Sequence, residues 1–310
     1  MSQAIRPVRK AVFPVAGLGT RLLPATKVLP KEMLTIVDRP LIQMAVEEAI
    51  EAGIEQFIFV INYGKEMLVQ HFDNAPQLMK VLEARGKTDQ IETIKAAALP
   101  EGSLQTVLQQ EALGLGHAVW CAHHAVGNEP FAIILPDDTV LNSVGCLAQM
   151  VKSYNSHGGN VVAACEVAPE DTRRYGILDI SGRQDQALSI KGLVEKPSPE
   201  LAPSNMAIFG RYILQPEIFT YLARHEQGAG GEIQLTDAMA HLLADQDFYG
   251  FLFEGERLDC GNELGFVKAQ IAFALNKPSL APDIAEYMMT KLREYHEAGS
   301  KTAKSMKKVA

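Results

Sequence analysis

The chain has 310 residues, 47% of them hydrophobic, with a formal net charge of −8 and a pI near 5.5. Such a length and apolar content suffice for a sizeable buried core, so disorder is not the default state. The acidic balance argues against the broad basic surface that neutralises nucleic-acid phosphates or docks on anionic membranes, so any phosphate ligand must meet cations placed locally.

The opening MSQAIRPVRK carries charge but no apolar signal-peptide segment, and charged, Gly or Pro residues break every apolar stretch short of the roughly 20 residues of a membrane span. Short β-branched runs then alternate with amphipathic segments, the pattern of parallel strands joined by crossover helices. The runs are Lys10–Ala16, Phe57–Asn62, Phe131–Leu135 and Asn160–Val167. Between the first two, Pro40–Ala52 predicts a helix with Leu41, Ala45, Val46, Ala49 and Ile50 on one face, closed by a left-handed Gly53. Further helices are predicted over Gly64–Phe72, Gly114–Val126 and Cys146–Ser156, completing a doubly wound, Rossmann-like α/β sheet with helices on both faces. From Ala168 the rhythm changes. YGILDI, SIKGLVEKP and NMAIFGRYIL are strands without an intervening long helix, which predicts an antiparallel insertion (about residues 168–214) beside the main sheet, forming the second half of a cleft. Helices over Pro216–Gln227 and Ile233–Gln246 follow, then the strands FYGFLF and RLDCG returning to the sheet. Helices over Asn262–Asn276 and Ala281–Ala298 and a frayed basic tail, KTAKSMKKVA, end the chain. This divides it into a domain over 1–277 and a helical extension over 278–310.

Chemistry concentrates at strand ends. After the first strand comes Ala16-Gly17-Leu18-Gly19-Thr20-Arg21, running on to Pro30-Lys31-Glu32-Met33-Leu34. Glycines at 17 and 19 let backbone N–H groups turn toward a phosphate in a strand-to-helix loop, and Arg21 and Lys31 supply cations. Alone, the glycine pair reads equally as a tight turn. Leu22 at the third glycine position departs from the dinucleotide fingerprint, disfavouring an oxidoreductase, and no G-x-x-x-x-G-K-[ST] loop is present. Leu135-Pro136-Asp137-Asp138 sets two carboxylates at the carboxyl end of a buried strand, where open α/β sheets bind ligands. They read either as helix caps or, beside a phosphate loop, as ligands of a divalent cation. Val194-Glu195-Lys196-Pro197 contains a lysine suited to phosphate, in what is otherwise an ordinary turn. His117, His123 and His124 lie on a helical pattern with no third ligand, and no serine or cysteine has a nucleophile's setting. The four cysteines, Cys121, Cys146, Cys165 and Cys260, are scattered and suggest reduced thiols in the cytoplasm.

From about Ala11 to Lys277 the sequence resembles the bacterial UTP–glucose-1-phosphate uridylyltransferases of the sugar-nucleotide pyrophosphorylase superfamily. G-x-G-T-R stands as Gly17–Arg21, P-K-E-M-L as Pro30–Leu34, V-E-K-P as Val194–Pro197, and L-D-x-G as Leu258–Gly261. The resemblance implies the nucleotide-diphospho-sugar transferase fold and a set of roles. Arg21 and Lys31 would bind the triphosphate within the loop of Gly19 and Thr20. Glu32 would contact the nucleotide, and the backbone of Ala16 and Gly17 would lie against the base. Gln109 would read the uracil edge, with Gly114 admitting the ring. Lys196 would hold the sugar phosphate and Glu195 the sugar hydroxyls, with Tyr175-Gly176 along the sugar and Glu232 nearby. Asp137 and Asp259 would hold Mg²⁺, with Asp138 as an outer partner.

The implied reaction joins UTP and glucose 1-phosphate into UDP-glucose and pyrophosphate, in a homo-oligomer (dimer or tetramer) with no nucleic-acid or membrane partner. The same chemistry on another nucleotide, such as that of a thymidylyltransferase, and a non-catalytic sugar-nucleotide-binding relative are the alternatives.

Overall fold

The computed structural model describes the backbone of residues 5–306 and the side chains of residues 5–297. In chain order its strands are β1 (Lys10–Pro14), β2 (Thr35–Ile36), β3 (Arg39–Pro40), β4 (Gln56–Ile61), β5 (Leu104–Leu108), β6 (Phe131–Ile134), β7 (Asp138–Leu141), β8 (Asn160–Glu166), β9 (Gly176–Gln184), β10 (Ala187–Glu195), β11 (Met206–Leu214), β12 (Phe248–Leu252) and β13 (Glu256–Asp259). Nine of them make one mixed sheet in the order β5-β4-β1-β6-β11-β8-β12-β10-β9. β1 pairs parallel with both β4 and β6. The chain thus leaves β1 toward one edge and returns on its other side. That reversal opens a crevice at the carboxyl ends of the strands, where ligands bind in open α/β sheets. Two apolar cores cover the two faces of the sheet, one around Val12, Ile133 and Met239, the other around Phe13, Phe59 and Leu147.

Several predicted elements change. NMAIFGRYIL is not beside the sheet but near its centre, where β11 runs antiparallel between β6 and β8. Its burial over eight consecutive residues explains the place, because a continuous apolar run belongs where both faces are covered. Only β9 and β10 extend the sheet at the far edge, antiparallel to each other and joined through β12. FYGFLF returns to the sheet as β12, whereas RLDCG does not: β13 forms a separate antiparallel ribbon with β7.

The helix after β3 runs Leu41–Glu51 and buries Leu41, Ile42, Ala45, Val46 and Ala49, so Ile42 takes the core place assigned to Ile50, which is 52% exposed. Gly53 has φ +87°, as the left-handed closure requires. The segments predicted as helices over Gly64–Phe72, Pro216–Gln227 and Ile233–Gln246 shorten to Met67–Gln70, Ile218–Leu222 and Leu235–Leu242. Gly114–Val126 breaks into Leu115–Cys121 and His123–Val126. The edge strand β5 and the helices Pro76–Ala84 and Thr88–Ala97, none of which buries a residue fully, escape sequence reading. The last helix runs Ala281–Met306, so the basic tail is helical as far as Met306, and residues 307–310 lie outside the described residues.

Behind the crevice, the fully buried Arg211 of β11 forms a two-pronged ion pair with Glu48 (Nε–Oε1 2.9 Å, Nη2–Oε2 2.7 Å) and donates to the Leu135 carbonyl at 2.9 Å. Burial would lower the Arg211 pKa, and the Glu48 carboxylate outweighs it, so the guanidinium stays charged. Arg211 thereby pins the strand end that leads into Asp137. Replacing one member of a buried pair leaves the other charge unpaired, so Arg211→Met is expected to cost about 3–5 kcal/mol in urea unfolding. A loss under about 1 kcal/mol contradicts this account of the pair.

Candidate active site

The glycine loop after β1 does not enter a helix. It passes through three single 3-10 turns, Thr20–Leu22, Ala25–Lys27 and Lys31–Met33, and the small β2–β3 hairpin before the helix at Leu41. A helix dipole therefore contributes nothing here, and side-chain cations carry the positive charge. Gly19 has φ +66°, and a Cβ there would crowd Lys31 and Thr26 at 3.3 Å. Gly17 has no such internal reason, since an added Cβ would meet only Lys31 Cε at 4.0 Å, so its bareness leaves open space on the cleft side. Beneath the loop, buried Lys65 donates to the Val15 and Gly17 carbonyls and to Glu32 (2.9 Å), and so ties the loop backbone down. Glu32 is fully buried, which places its side chain in the loop's foundation rather than on the cleft surface. Burial raises the Glu32 pKa and lowers that of Lys65, each against the pull of the other.

Two strand ends bring the acids together. Asp137 follows β6, and Asp138 opens β7 directly opposite Asp259 of β13. Lys31 Nζ lies 2.6 Å from Asp137 Oδ2. Asp259 Oδ1 accepts from the Gly261 N–H at 2.9 Å, and its Oδ2 accepts from Asn262 (2.9 Å) and Arg174 (3.2 Å). A Cβ at Gly261 would stand 2.8 Å from Asp137 Oδ2, 3.1 Å from Asp259 Oδ1 and 3.4 Å from Arg21 Nη2. Those three groups, remote in sequence, thus surround one point that only glycine leaves free. Gly210 of β11 plays a similar part for Asp138: its N–H donates to Oδ2 at 3.2 Å, and a Cβ would approach that oxygen to 2.4 Å.

Across the crevice a cavity of about 510 Å³ is walled by Arg21, Asp137, Asp138, Asp259, Tyr175, Gly176, Glu195 and Lys196, together with Arg174, Tyr212, Glu232, Gln234 and Thr236. Lys196 holds φ +46°, unusual for a side-chain-bearing residue; its N–H donates to the Tyr175 carbonyl and its Nζ lies 3.1 Å from Glu195. Such a backbone persists where the surroundings impose it, here turning the lysine at the end of β10 into the cavity. Arg257 stacks over Tyr175 (4.5 Å) and Phe209 (4.9 Å), linking the Asp259 strand to this wall.

The residues that the resemblance sets against the base do not line that cavity but border it, along the carboxyl edge of β1, β4 and β5. The Gln109 N–H extends the β4–β5 ladder to the Ile61 carbonyl, and Gly114 sits a few residues on with φ +104°. A Cβ at Gly114 would strike Glu232 and Ile233 at 2.8 and 2.9 Å, so close packing already requires glycine there, whatever its relation to a ring.

Sequence reading overlooked Gly210, Arg174, Gln234, Thr236, Lys65 and the role of Gly261. A signal existed for Gly210, because glycine within a central strand marks a close approach, whereas Lys65 in NYGKE is indistinguishable from a surface lysine.

The acid cluster has an electrostatic signature. Burial would raise Asp137, but Lys31 outweighs it and holds the carboxyl below its usual range, and Lys31 in turn is raised by Asp137 against its own burial. Asp138 is raised to about 7 by burial and by Asp137 and Asp259.

On a sheet with this reversal, such an arrangement of loop cations and strand-end acids is what a phosphate-handling nucleotide enzyme needs. The chain belongs to the nucleotidyl transferase family, whose family model matches residues 10–274. It is 50% identical over 260 residues (84% of this chain, 92% of the relative) to the UTP–glucose-1-phosphate uridylyltransferase of Komagataeibacter xylinus. With the enzyme of that name from Bacillus subtilis it shares 45% over 284 residues (92% and 97%). Among solved structures it resembles UTP-bound UGPase from Acinetobacter baumannii, with TM-score 0.84 and 38% identity over 91% of this chain and 99% of that one. A UDP-glucose pyrophosphorylase complexed with UDP-glucose matches with TM-score 0.77 and 39% identity over 87% and 100%.

With the unfolded carboxyl near 3.8 and the folded one near 7, ionising Asp138 costs stability progressively as pH rises between those values. Asp138→Asn should therefore raise the melting temperature of the chelator-treated protein at pH 8 and leave it nearly unchanged at pH 4. Equal shifts at both pH values would contradict the raised pKa.

Proposed function

We propose that the protein forms UDP-glucose and pyrophosphate from UTP and glucose 1-phosphate. The observation that carries this reading is the convergence of Asp137, Asp259 and Arg21 around the bare Gly261, on a cavity whose far wall carries Glu195 and Lys196. The names of the relatives supply the uridine nucleotide and the glucose phosphate. A phosphate oxygen of glucose 1-phosphate attacks the α-phosphorus of UTP, and the bond to the β-phosphate oxygen breaks in line, releasing pyrophosphate. The attacking monoester is largely dianionic at neutral pH, so no general base is required. This fits a site of cations and carboxylates without a catalytic histidine. The barrier lies in bringing two polyanions together and balancing charge on the leaving group.

Lys196 binds the acceptor phosphate and Glu195 the sugar hydroxyls, with Tyr175 and Gly176 along the ring. Arg21 and Lys31 hold the β- and γ-phosphates over Gly19 and Thr20, while Ala16, Gly17, Gln109 and Gly114 receive the base. Glu32 acts through Lys65 on the loop, and Asp138 acts through its neighbours.

Two carboxylates facing a gap that a methyl group would fill suit a Mg²⁺ ion completed by phosphate oxygens and water. Among the described residues no three His, Cys, Asp or Glu side chains form a ready cage, which accords with a metal that is partly substrate-held. When bound, it supplies charge neutralisation at the α-phosphate.

We further propose a catalytic domain over 1–277 and an extension over 278–310 that meets a second copy, since Tyr287, Leu292 and Tyr295 stand 60%, 55% and 75% exposed on the last helix. The free cysteines, together with the absence among the described residues of any helix long and apolar enough to cross a membrane, suit a cytoplasmic enzyme.

A pyrophosphate-release panel of UTP, dTTP, ATP and GTP against glucose, galactose and N-acetylglucosamine 1-phosphates, with and without Mg²⁺, is expected to give the highest kcat/KM for UTP with glucose 1-phosphate and Mg²⁺. Preference for another pair would overturn the substrate assignment. Asp137→Asn should lower kcat about a hundredfold or more without unfolding the protein, and near-normal turnover at saturating Mg²⁺ would remove Asp137 from the site. Lys196→Ala should raise KM for glucose 1-phosphate at least about tenfold, and an unchanged KM would refute its role.

A further inference from the structure

One buried histidine is left unused by this scheme. His117, on the helix Leu115–Cys121, has its Nδ1 3.0 Å from Gln109 Nε2, and the same Nε2 lies 3.2 Å from the Gly114 carbonyl. A backbone carbonyl can only accept, so the Gln109 atom facing Gly114 must be the amide nitrogen. Its second proton then points at His117 Nδ1, which must accept. The imidazole proton is left on Nε2, where Cys121 Sγ lies at 3.8 Å. Burial and the neighbouring His225 lower the His117 pKa, with the Glu111 backbone opposing, so the ring is held neutral as this chain of donors demands.

The consequence falls on Gln109 Oε1. Both Nε2 protons are engaged inside the protein, while Oε1 accepts nothing from the described residues and is not among the buried orphan atoms. Gln109 therefore offers an incoming base an acceptor and no free donor. A pyrimidine with a proton on N3, uracil or thymine, satisfies it. Cytosine, whose N3 is an acceptor, meets it lone pair to lone pair.

We propose that His117 is a positioning residue that, together with the Gly114 carbonyl, locks the Gln109 amide in the orientation that selects a uracil-type base over cytosine. This rests on the reading that Gln109 meets the base. Without an acceptor at Nδ1 only the Gly114 carbonyl, 3.2 Å from Nε2, still opposes a half-turn of the amide, and the flipped form that presents its nitrogen to cytosine becomes easier to reach. The device is local to N3, so it cannot separate uracil from thymine.

The test measures kcat/KM for UTP, CTP and dTTP by pyrophosphate release in wild-type protein, His117→Leu, His117→Asn and Gln109→Leu, each checked for folding by circular dichroism. The Asn Oδ1 occupies the place of the histidine Nδ1 and restores an acceptor, whereas Leu does not. The expected result is a fall of about tenfold in the UTP-to-CTP ratio for His117→Leu. It should appear mainly in KM for UTP, with the UTP-to-dTTP ratio unchanged and with recovery in His117→Asn. An unchanged UTP-to-CTP ratio in folded His117→Leu, or an equal fall in His117→Asn, overturns the lock. If Gln109→Leu itself leaves the ratio unchanged, the base-reading role of Gln109 fails and the lock falls with it. A loss in Gln109→Leu without one in His117→Leu refutes the lock alone.

Discussion

Three carboxylates that repel one another are held side by side, two of them meeting Arg21 around the bare Gly261, and the rest of the structure is arranged around that constraint. Asp138 and Asp259 face each other across the β7–β13 ribbon, with Asp137 one residue before it. Left to itself this cluster would protonate or spread, because burying like charges together is costly. Lys31 on Asp137, Arg174 on Asp259 and backbone N–H groups from Gly210 and Gly261 offset part of that cost. The remainder is expressed in the raised Asp138 and marks the place as one that favours a cation. Gly261 keeps the point between Asp137, Asp259 and Arg21 open, and Gly210 leaves the room that Asp138 takes.

The central antiparallel strand joins the two sides of the crevice. The loop proposed to hold the nucleotide hangs on β1, β4 and β5, and the wall proposed to hold the acceptor on β9 and β10. β11 lies between them in the sheet and touches the acids from behind, through Gly210 on Asp138 and Arg211 on the Leu135 carbonyl. Arg257 adds a second link, stacked on Tyr175 two residues before Asp259. The wall of Tyr175 and Glu195 and the acid ribbon are therefore held to one another by rigid elements, as the proposed reaction, limited by orientation, requires.

Much of this was legible in the sequence, and the boundary is physical. Strands buried on both faces, such as β1, β4, β6 and β8, announce themselves as continuous apolar runs, and the acids at the end of β6 are visible because strand ends are where ligands bind. The motifs at Gly17–Leu34, Val194–Pro197 and Leu258–Gly261 carried the family. Register is not encoded locally. Nothing in RLDCG says that it pairs with Asp138–Leu141 rather than with the sheet, and nothing in NMAIFGRYIL except its unbroken burial says that it crosses the centre. Lys65 is the plainest miss, since only the fold reveals that an ordinary-looking lysine is the post on which the glycine loop rests.

The central claim is that Asp137 and Asp259 form one divalent-cation site completed by the nucleotide. Mn²⁺ binding followed by electron paramagnetic resonance tests it most directly, in wild-type protein and in Asp259→Asn, with and without UTP. The account predicts a protein-bound Mn²⁺ population that strengthens when UTP is present and is largely lost in Asp259→Asn although the nucleotide still binds. Mn²⁺ binding in the presence of UTP that is indifferent to Asp259→Asn would contradict it.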